Sequence, residues 1–575
     1  RCKQMSLEEI FQNQKPVEDA ANEHTVIGKD GMVSCPVKEA AEVGEEVLKE
    51  GGNAMDAVIA MQLALAAVEG MNTGVGGGGV ILYYDSSNKE TKIINGHSQA
   101  PSAVKPDLFF DEEDSLISFD ERSTSPRAVA VPGVLRMLEL AKNQYGTLSL
   151  ERLIDPAIHL AEEGFRINRS WERALENFQH RLGDVAKKTF VPDGKPLKQG
   201  VHFQQPDLVK TLKLIRKEGF STFYEGEIAD AIIKTLADHG GIMEKADLES
   251  YQSAIEEPFW GSYKDYKLAI PAPAGGGGVS LSMLLKMLEK LNVSQYDIHS
   301  WEKYHLIAEA TRLVLADQQT YLGDPEFSRI PYQGLLSDEY IEERLKLIDL
   351  ESKKKEITAG KPWNYQEGEP NYKVEMDHNR HGMDTTHFTA VDQWGNVAAC
   401  TTSLERIFGS GIMVDGYGFM LNNDLTDFSP EPGAANEPNS KKFPVSSKSP
   451  TIVFHDGKPF FTLGSPGATT IISSVAQVLL HVLDYKMDLR EAIAEVRIFN
   501  NPEASMEWED GINEEAMAQL KKISYELNKS FKTETADNRL GDVKGILINP
   551  WNGNLYGAVD SPRPGRAIGI NQNSK

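Results

Sequence analysis

The feature that most constrains the fold is the run Asp384-Thr385-Thr386-His387-Phe388-Thr389-Ala390-Val391-Asp392, where a long polar segment turns abruptly into strand-like sequence. Thr386 to Asp392, the turn Gln393-Trp394-Gly395-Asn396 and Val397 to Ser403 together spell a β-hairpin. The pairing puts Thr385 at the edge of a sheet, with Thr401, Thr402 and Ser403 returning alongside. A Thr pair is ordinary in a strand, but its place in the chain is not. Lys353 to Asp384, just before it, is rich in Lys, Glu, Gly, Asn and Pro and poor in aliphatics, which is linker composition. A peptide bond that a neighbouring hydroxyl is to break belongs where backbone can be strained and the freed end can swing away.

A threonine hydroxyl is a weak nucleophile unless a base stands beside it, and the residue's own α-amine can serve once the preceding bond is cut. Such an amine has a pKa of roughly 7.7 to 8.0, so a useful fraction is neutral near pH 7. Cutting between Asp384 and Thr385 divides the 575 residues into pieces of 384 and 575 − 384 = 191.

Further short blocks stand in a fixed order: Glu50-Gly51-Gly52-Asn53-Ala54-Met55-Asp56-Ala57, the glycines at 74–79, Val131-Pro132-Gly133, and Tyr321-Leu322-Gly323-Asp324-Pro325. After Thr385 come Gly395-Asn396, Phe408-Gly409, Leu421 to Phe428, Ser446-Ser447-Lys448-Ser449-Pro450 and Gly464-Ser465-Pro466-Gly467. The series resembles the γ-glutamyltranspeptidase family of N-terminal nucleophile hydrolases. The resemblance implies an α/β fold, a four-layer αββα sandwich, formed as one globule by two subunits of the same chain. The large subunit would be 26–384, with a flexible linker at 353–384, and the small catalytic subunit 385–575, behind a polar N-terminal tail at 1–25.

The resemblance also implies a chemistry. Thr385 attacks the Asp384 carbonyl during autoproteolysis and then the γ-amide of a small-molecule γ-glutamyl donor, with water or an amino acid as acceptor. Ser403 is expected to support Thr385. Backbone amides of Gly467 and Ala468, at the start of an apolar helical run, are expected to hold the oxyanion. The family has a second glycine at Ala468, a change that is tolerable if φ there is negative. Asp427 would bind the donor's α-ammonium, and Ser446 and Ser447 its α-carboxylate. Glu405 and Asp424 stand where family members carry uncharged amides, which makes this pocket more acidic.

The family's carboxylate-pairing arginine is missing from the large subunit. Its place is assigned to Pro106 in Lys105-Pro106-Asp107-Leu108, leaving Lys105, Arg563 and Arg566 as candidate replacements. The short stretch from Asp427 to Ser446 contains no aromatic besides Phe428 and Phe443, which implies an open, lidless site.

Other classes are disfavoured by the chain's content. A net charge of −25 speaks against nucleic acid and anionic membrane surfaces. Cys2, Cys35 and Cys400 show no metal spacing or disulfide framework, and no metal or organic cofactor is implied. The apolar run Ala57 to Val68 is well short of the ~20 residues that span a bilayer and reads as a buried helix. No signal peptide is visible, which favours the cytoplasm, and removal of a signal would place the protein outside. The glycines at 74–79 and 275–278 lack the context of nucleotide loops and read as close-packing points. Two rivals stand: an acylase of the same fold acting on glutaryl side chains of the cephalosporin type, and an unprocessed binding homologue.

Overall fold

The computed structural model describes residues 2–379, 384–503, 505–523, 525 and 539–572. Two large sheets lie face to face. The first, of seven strands, runs Arg566–Ile570, Gly31–Cys35, Asp384–Asp392, Val397–Glu405, Gly78–Asp85, Glu90–Gly96, Ala254–Glu256, all antiparallel. The second, of eight, runs Pro16–Val17, Thr25–Gly28, Leu555–Val559, Lys544–Ile548, Lys458–Gly464, Thr451–His455, Tyr266–Ile270, Phe259–Tyr263.

Between them lies a core drawn from alternate positions of both: Val80, Leu82, Val391, Val397 and Ala399 face Ala269, Ile452, Phe454, Ile546 and Val559. The outer face of the seven-stranded sheet packs on helices Lys38–Lys49, Ala54–Val68, Val134–Tyr145 and Leu150–Glu162. That of the other packs on Gly278–Lys290, Trp301–Tyr321 and Thr470–Leu483. Helix, sheet, sheet, helix is the four-layer αββα order.

Local chemistry sets the central elements. Ala54–Val68 is apolar except for Asp56 and Gln62 and every residue is buried, as such a helix must be. A capping box between Asn53 and Asp56 starts it. The hairpin turn is closed by Asp392, whose Oδ1 accepts from the N–H groups of Trp394 (2.9 Å) and Asn396 (3.0 Å). Its Oδ2 accepts from Ala54 N–H at 2.8 Å, so the turn also satisfies an orphan amide of the core helix. The glycines at 76–79 are close-packing points, since a Cβ on Gly76 would stand 2.0 Å from the Met420 carbonyl oxygen and one on Gly77 2.3 Å from that of Ser403.

Three expectations change. The hairpin is interior to its sheet. Gly31–Cys35 flanks the strand but reaches only Thr389 to Asp392, so the Thr385 end overhangs its neighbour and is reached from the sheet's end. The N-terminal stretch is folded: Cys2–Gln12 is a helix whose Leu7, Ile10 and Phe11 are buried. The segment before the junction is irregular but docked, with Gly360 N–H on Asp317 (2.9 Å) and Ser429 Oγ on Asp377 (3.0 Å). Residues 380–383 of that linker lie outside the described residues.

Candidate active site

Asp384 and Thr385 open the strand Asp384–Asp392, and both are buried. Asp384 pairs with Glu405 and Thr386 with Thr402, so Thr385 alone stands opposite Ser403 and Leu404, a bulge whose extra residue lies on the return strand. Ser403 Oγ donates to the Asp384 carbonyl oxygen at 2.5 Å and accepts from Glu405 N–H at 2.7 Å. The carbonyl of the Asp384–Thr385 bond is thereby polarised in the intact chain. Thr385 Oγ makes no hydrogen bond to a described residue, and Thr385 lines a cleft.

Arg563 holds the junction from the other side. Its Nη2 donates to Asp384 Oδ1 (2.6 Å) and to the Thr385 carbonyl (2.7 Å), and its Nη1 pairs with Glu69 (2.9 Å). Thr386 Oγ donates to the other oxygen of Glu69 at 2.9 Å. Burial pushes the Asp384 carboxyl up to about 6 against the pull of Arg563.

The cleft is lined by Thr385, Glu405, Asp427, Ser446, Ser447, Lys448 and Ala468, among others. Its lining combines acids with hydroxyl groups. Glu405 and, behind the lining, Asp424 are buried beside Asp427. Among the described residues neither Asp424 oxygen nor Glu405 Oε1 has a hydrogen bond of good geometry, although Ser98 lies close to Asp424 and Asp427 close to Glu405. Burial raises both groups, Asp424 to about 6, and Asp427 raises Glu405 further.

In the same lining, Ser446 Oγ accepts from Lys448 N–H (3.1 Å) and Ser447 Oγ accepts from Gln318 Nε2 (3.1 Å). Each hydroxyl has therefore filled an acceptor site and keeps its proton to donate. The segment is anchored by Ser446 N–H to the Ala274 carbonyl and Gly277 N–H to that of Lys448.

Gly467 and Ala468 precede the helix Thr470–Leu483, and neither backbone N–H has a partner among the described residues. Ala468 departs from expectation: its φ is +49°, not negative. The left-handed conformation costs a Cβ-bearing residue roughly 1–2 kcal/mol. Glu405, at φ +83°, is also strained.

None of the three candidate cations sits in the cleft. Lys105 is exposed, Arg563 is committed at the junction, and Arg566 Nη1 donates to the carbonyl of Gly565 beside it. Ser98 instead stands beside Asp424, and buried His97, whose Nε2 meets the Pro444 carbonyl at 2.6 Å, is held neutral by desolvation and by Lys448. Sequence reasoning missed Lys448, Glu69, His97 and the junction role of Arg563. Of these only Lys448 carried a signal, as the residue after Ser446-Ser447.

The two sheets, their helical covers and a threonine at an overhanging strand start define an N-terminal nucleophile hydrolase. The cephalosporin acylase of Bacillus halodurans superposes with a TM-score of 0.83 over 97% of this chain and 98% of its own, at 23% identity, which speaks to fold. The family pattern described as Gamma-glutamyltranspeptidase matches residues 40–570. The glutathione hydrolase proenzyme of Bacillus subtilis (strain 168) is 46% identical over 551 residues, 96% of this chain and 93% of that one. The acylase ACY 1 proenzyme of Pseudomonas sp. (strain SE83) is 31% identical over 555 residues, 94% of each. The chain belongs to the γ-glutamyltranspeptidase family. It is an enzyme of the hydrolase and transpeptidase kind, with a threonine nucleophile.

Proposed function

We propose that the chain cuts itself between Asp384 and Thr385 and that the released Thr385 then cleaves γ-glutamyl amides such as glutathione. In maturation Thr385 Oγ attacks the Asp384 carbonyl carbon, the C–N bond breaks as the C–O bond forms, and water splits the resulting ester. Ser403 supports this step by its hydrogen bond to that carbonyl. In turnover the new α-amine takes the Thr385 hydroxyl proton, and the amides of Gly467 and Ala468 receive the oxyanion. The leaving amine departs with a proton, and water or an amino acid resolves the γ-glutamyl ester. Glu405, Asp424 and Asp427 receive the donor's ammonium; Ser446 and Ser447 donate to its carboxylate. Residues 26–384 and 385–575 serve as large and small subunits.

The observation that carries this reading is the cleft itself, whose lining brings Thr385 together with the acids Glu405 and Asp427 and the hydroxyls of Ser446 and Ser447. A zwitterionic acyl group needs that arrangement. The glutaryl acylase reading is favoured by the cephalosporin acylase fold and the acylase ACY 1 relative but leaves the acids without a cation to bind. Intact mass spectrometry of the protein and of Thr385→Ala after incubation at neutral pH tests maturation, with fragments meeting at 384/385 expected only without the substitution. γ-Glutamyl and glutaryl p-nitroanilides, which differ by the α-amino group alone, then test the donor. Faster cleavage of the glutaryl compound would favour the acylase.

A further inference from the structure

We propose that Lys448 is the cation that receives the donor's carboxylate and so decides which acyl groups this cleft accepts. The inference rests on the γ-glutamyl reading and adds to it the residue that supplies the missing positive charge.

The first support is place. Lys448 follows Ser446 and Ser447 on one anchored segment, and all three line the cleft that holds Thr385. The second is availability. Lys448 is 4% exposed, yet its ammonium forms neither an ion pair nor a hydrogen bond with a described residue. A buried lysine is ordinarily paired. The fields of Glu405, Asp424 and His97 reach it, but none of these groups is bonded to it.

The third support is charge. Glu405, Asp424 and Asp427 would repel a carboxylate entering the same cleft, so an anionic group needs a counter-charge there. Ser446, Ser447 and Lys448 bring two hydroxyl donors and an ammonium to the cleft lining. Lys105, Arg563 and Arg566 do not line the cleft, and among the described residues no Lys or Arg besides Lys448 does. A lysine acts as a point charge without the paired geometry of an arginine fork, so the subsite tolerates a shifted carboxylate better than it tolerates loss of charge.

Four p-nitroanilides separate the contributions: γ-glutamyl carries both charges, glutaryl the carboxylate, 4-aminobutanoyl the ammonium, and pentanoyl neither. Each is assayed for kcat/KM on mature wild type, Lys448→Met and Lys448→Arg, with processing checked on denaturing gels. The expected result is a carboxylate-selective loss. Lys448→Met lowers γ-glutamyl and glutaryl cleavage roughly 10- to 100-fold, mostly through KM, leaves the other two within about threefold, and Lys448→Arg restores much of the loss.

Equal losses on all four donors, or a gain for 4-aminobutanoyl with none lost for glutaryl, would mean that Lys448 only supports the cleft or neutralises its acids, and the proposal falls. If Lys448→Met does not mature, wild type alone decides: glutaryl must outpace pentanoyl anilide, and parity overturns the proposal. A processed wild type that ignores γ-glutamyl anilide would overturn the donor reading instead, so the two failures are distinct.

Discussion

Asp424 shows how one carboxyl can couple substrate binding to pH. Burial raises its pKa from the ordinary aspartate range to about 6, only partly offset by Lys448 and Ser98. The sign follows. With a folded pKa above the unfolded one, the empty protein is favoured at low pH and loses stability as pH rises through about 6, by roughly 3 kcal/mol for two units. An ammonium prefers the ionised form, so the KM of a γ-glutamyl anilide should fall as pH rises from 5 to 7 and then level. Asp424→Asn should flatten that part of the profile, raise KM at pH 7 and raise the thermal midpoint of the ligand-free protein at pH 8. A KM–pH curve unchanged by the substitution would remove Asp424 from ammonium binding.

At the level of elements, the nucleophile is placed by close backbone approach more than by side-chain bonding. The return strand Val397–Glu405 lies between Asp384–Asp392 and Gly78–Asp85, and the glycines ahead of the latter let it sit against Ser403 and Met420. Gly77→Ala would drive a Cβ to 2.3 Å from the Ser403 carbonyl oxygen and must move the residue that polarises the scissile bond. Soluble yield or processing by Gly77→Ala should therefore collapse. Gly74 has a negative φ and nothing within 4 Å of its Cβ position, so Gly74→Ala should process normally and stay within about 0.5 kcal/mol of wild type. Similar behaviour of the two variants would show that backbone approach does not position the hairpin.

Across the whole molecule, the proposed cut at Asp384–Thr385 would not divide the fold. Strands of the 385–575 part lie between strands of the earlier part in the seven-stranded sheet, and both parts contribute to the eight-stranded one. Separation would open the inter-sheet core and both outer layers together. Size-exclusion chromatography should therefore give one peak at the same volume for cut protein and for uncut Thr385→Ala. Fragments of 384 and 575 − 384 = 191 residues should part only in denaturant. Elution of a lone small fragment under native conditions would contradict the interleaved sheets.

What the sequence determined by itself is what depends on near neighbours. The largely apolar helix Ala54–Val68, the hairpin around Gln393 to Asn396 and the crowded glycines at 76–79 could be read from patterns within a few residues. The cleft-lining residues Glu405, Asp427, Ser446 and Ser447 could be listed from motif order, although their meeting could not be seen. Tertiary structure alone decided which charges meet. Arg563 is drawn to Glu69 and Asp384 across hundreds of residues, Lys448 comes to face acids from two other segments, and Lys105 is left in solvent. It also decided the positive φ of Ala468 and the burial of the N-terminal helix. Local periodicity is set by bonds a few residues apart, whereas charge pairing and backbone strain arise only when distant segments share one space.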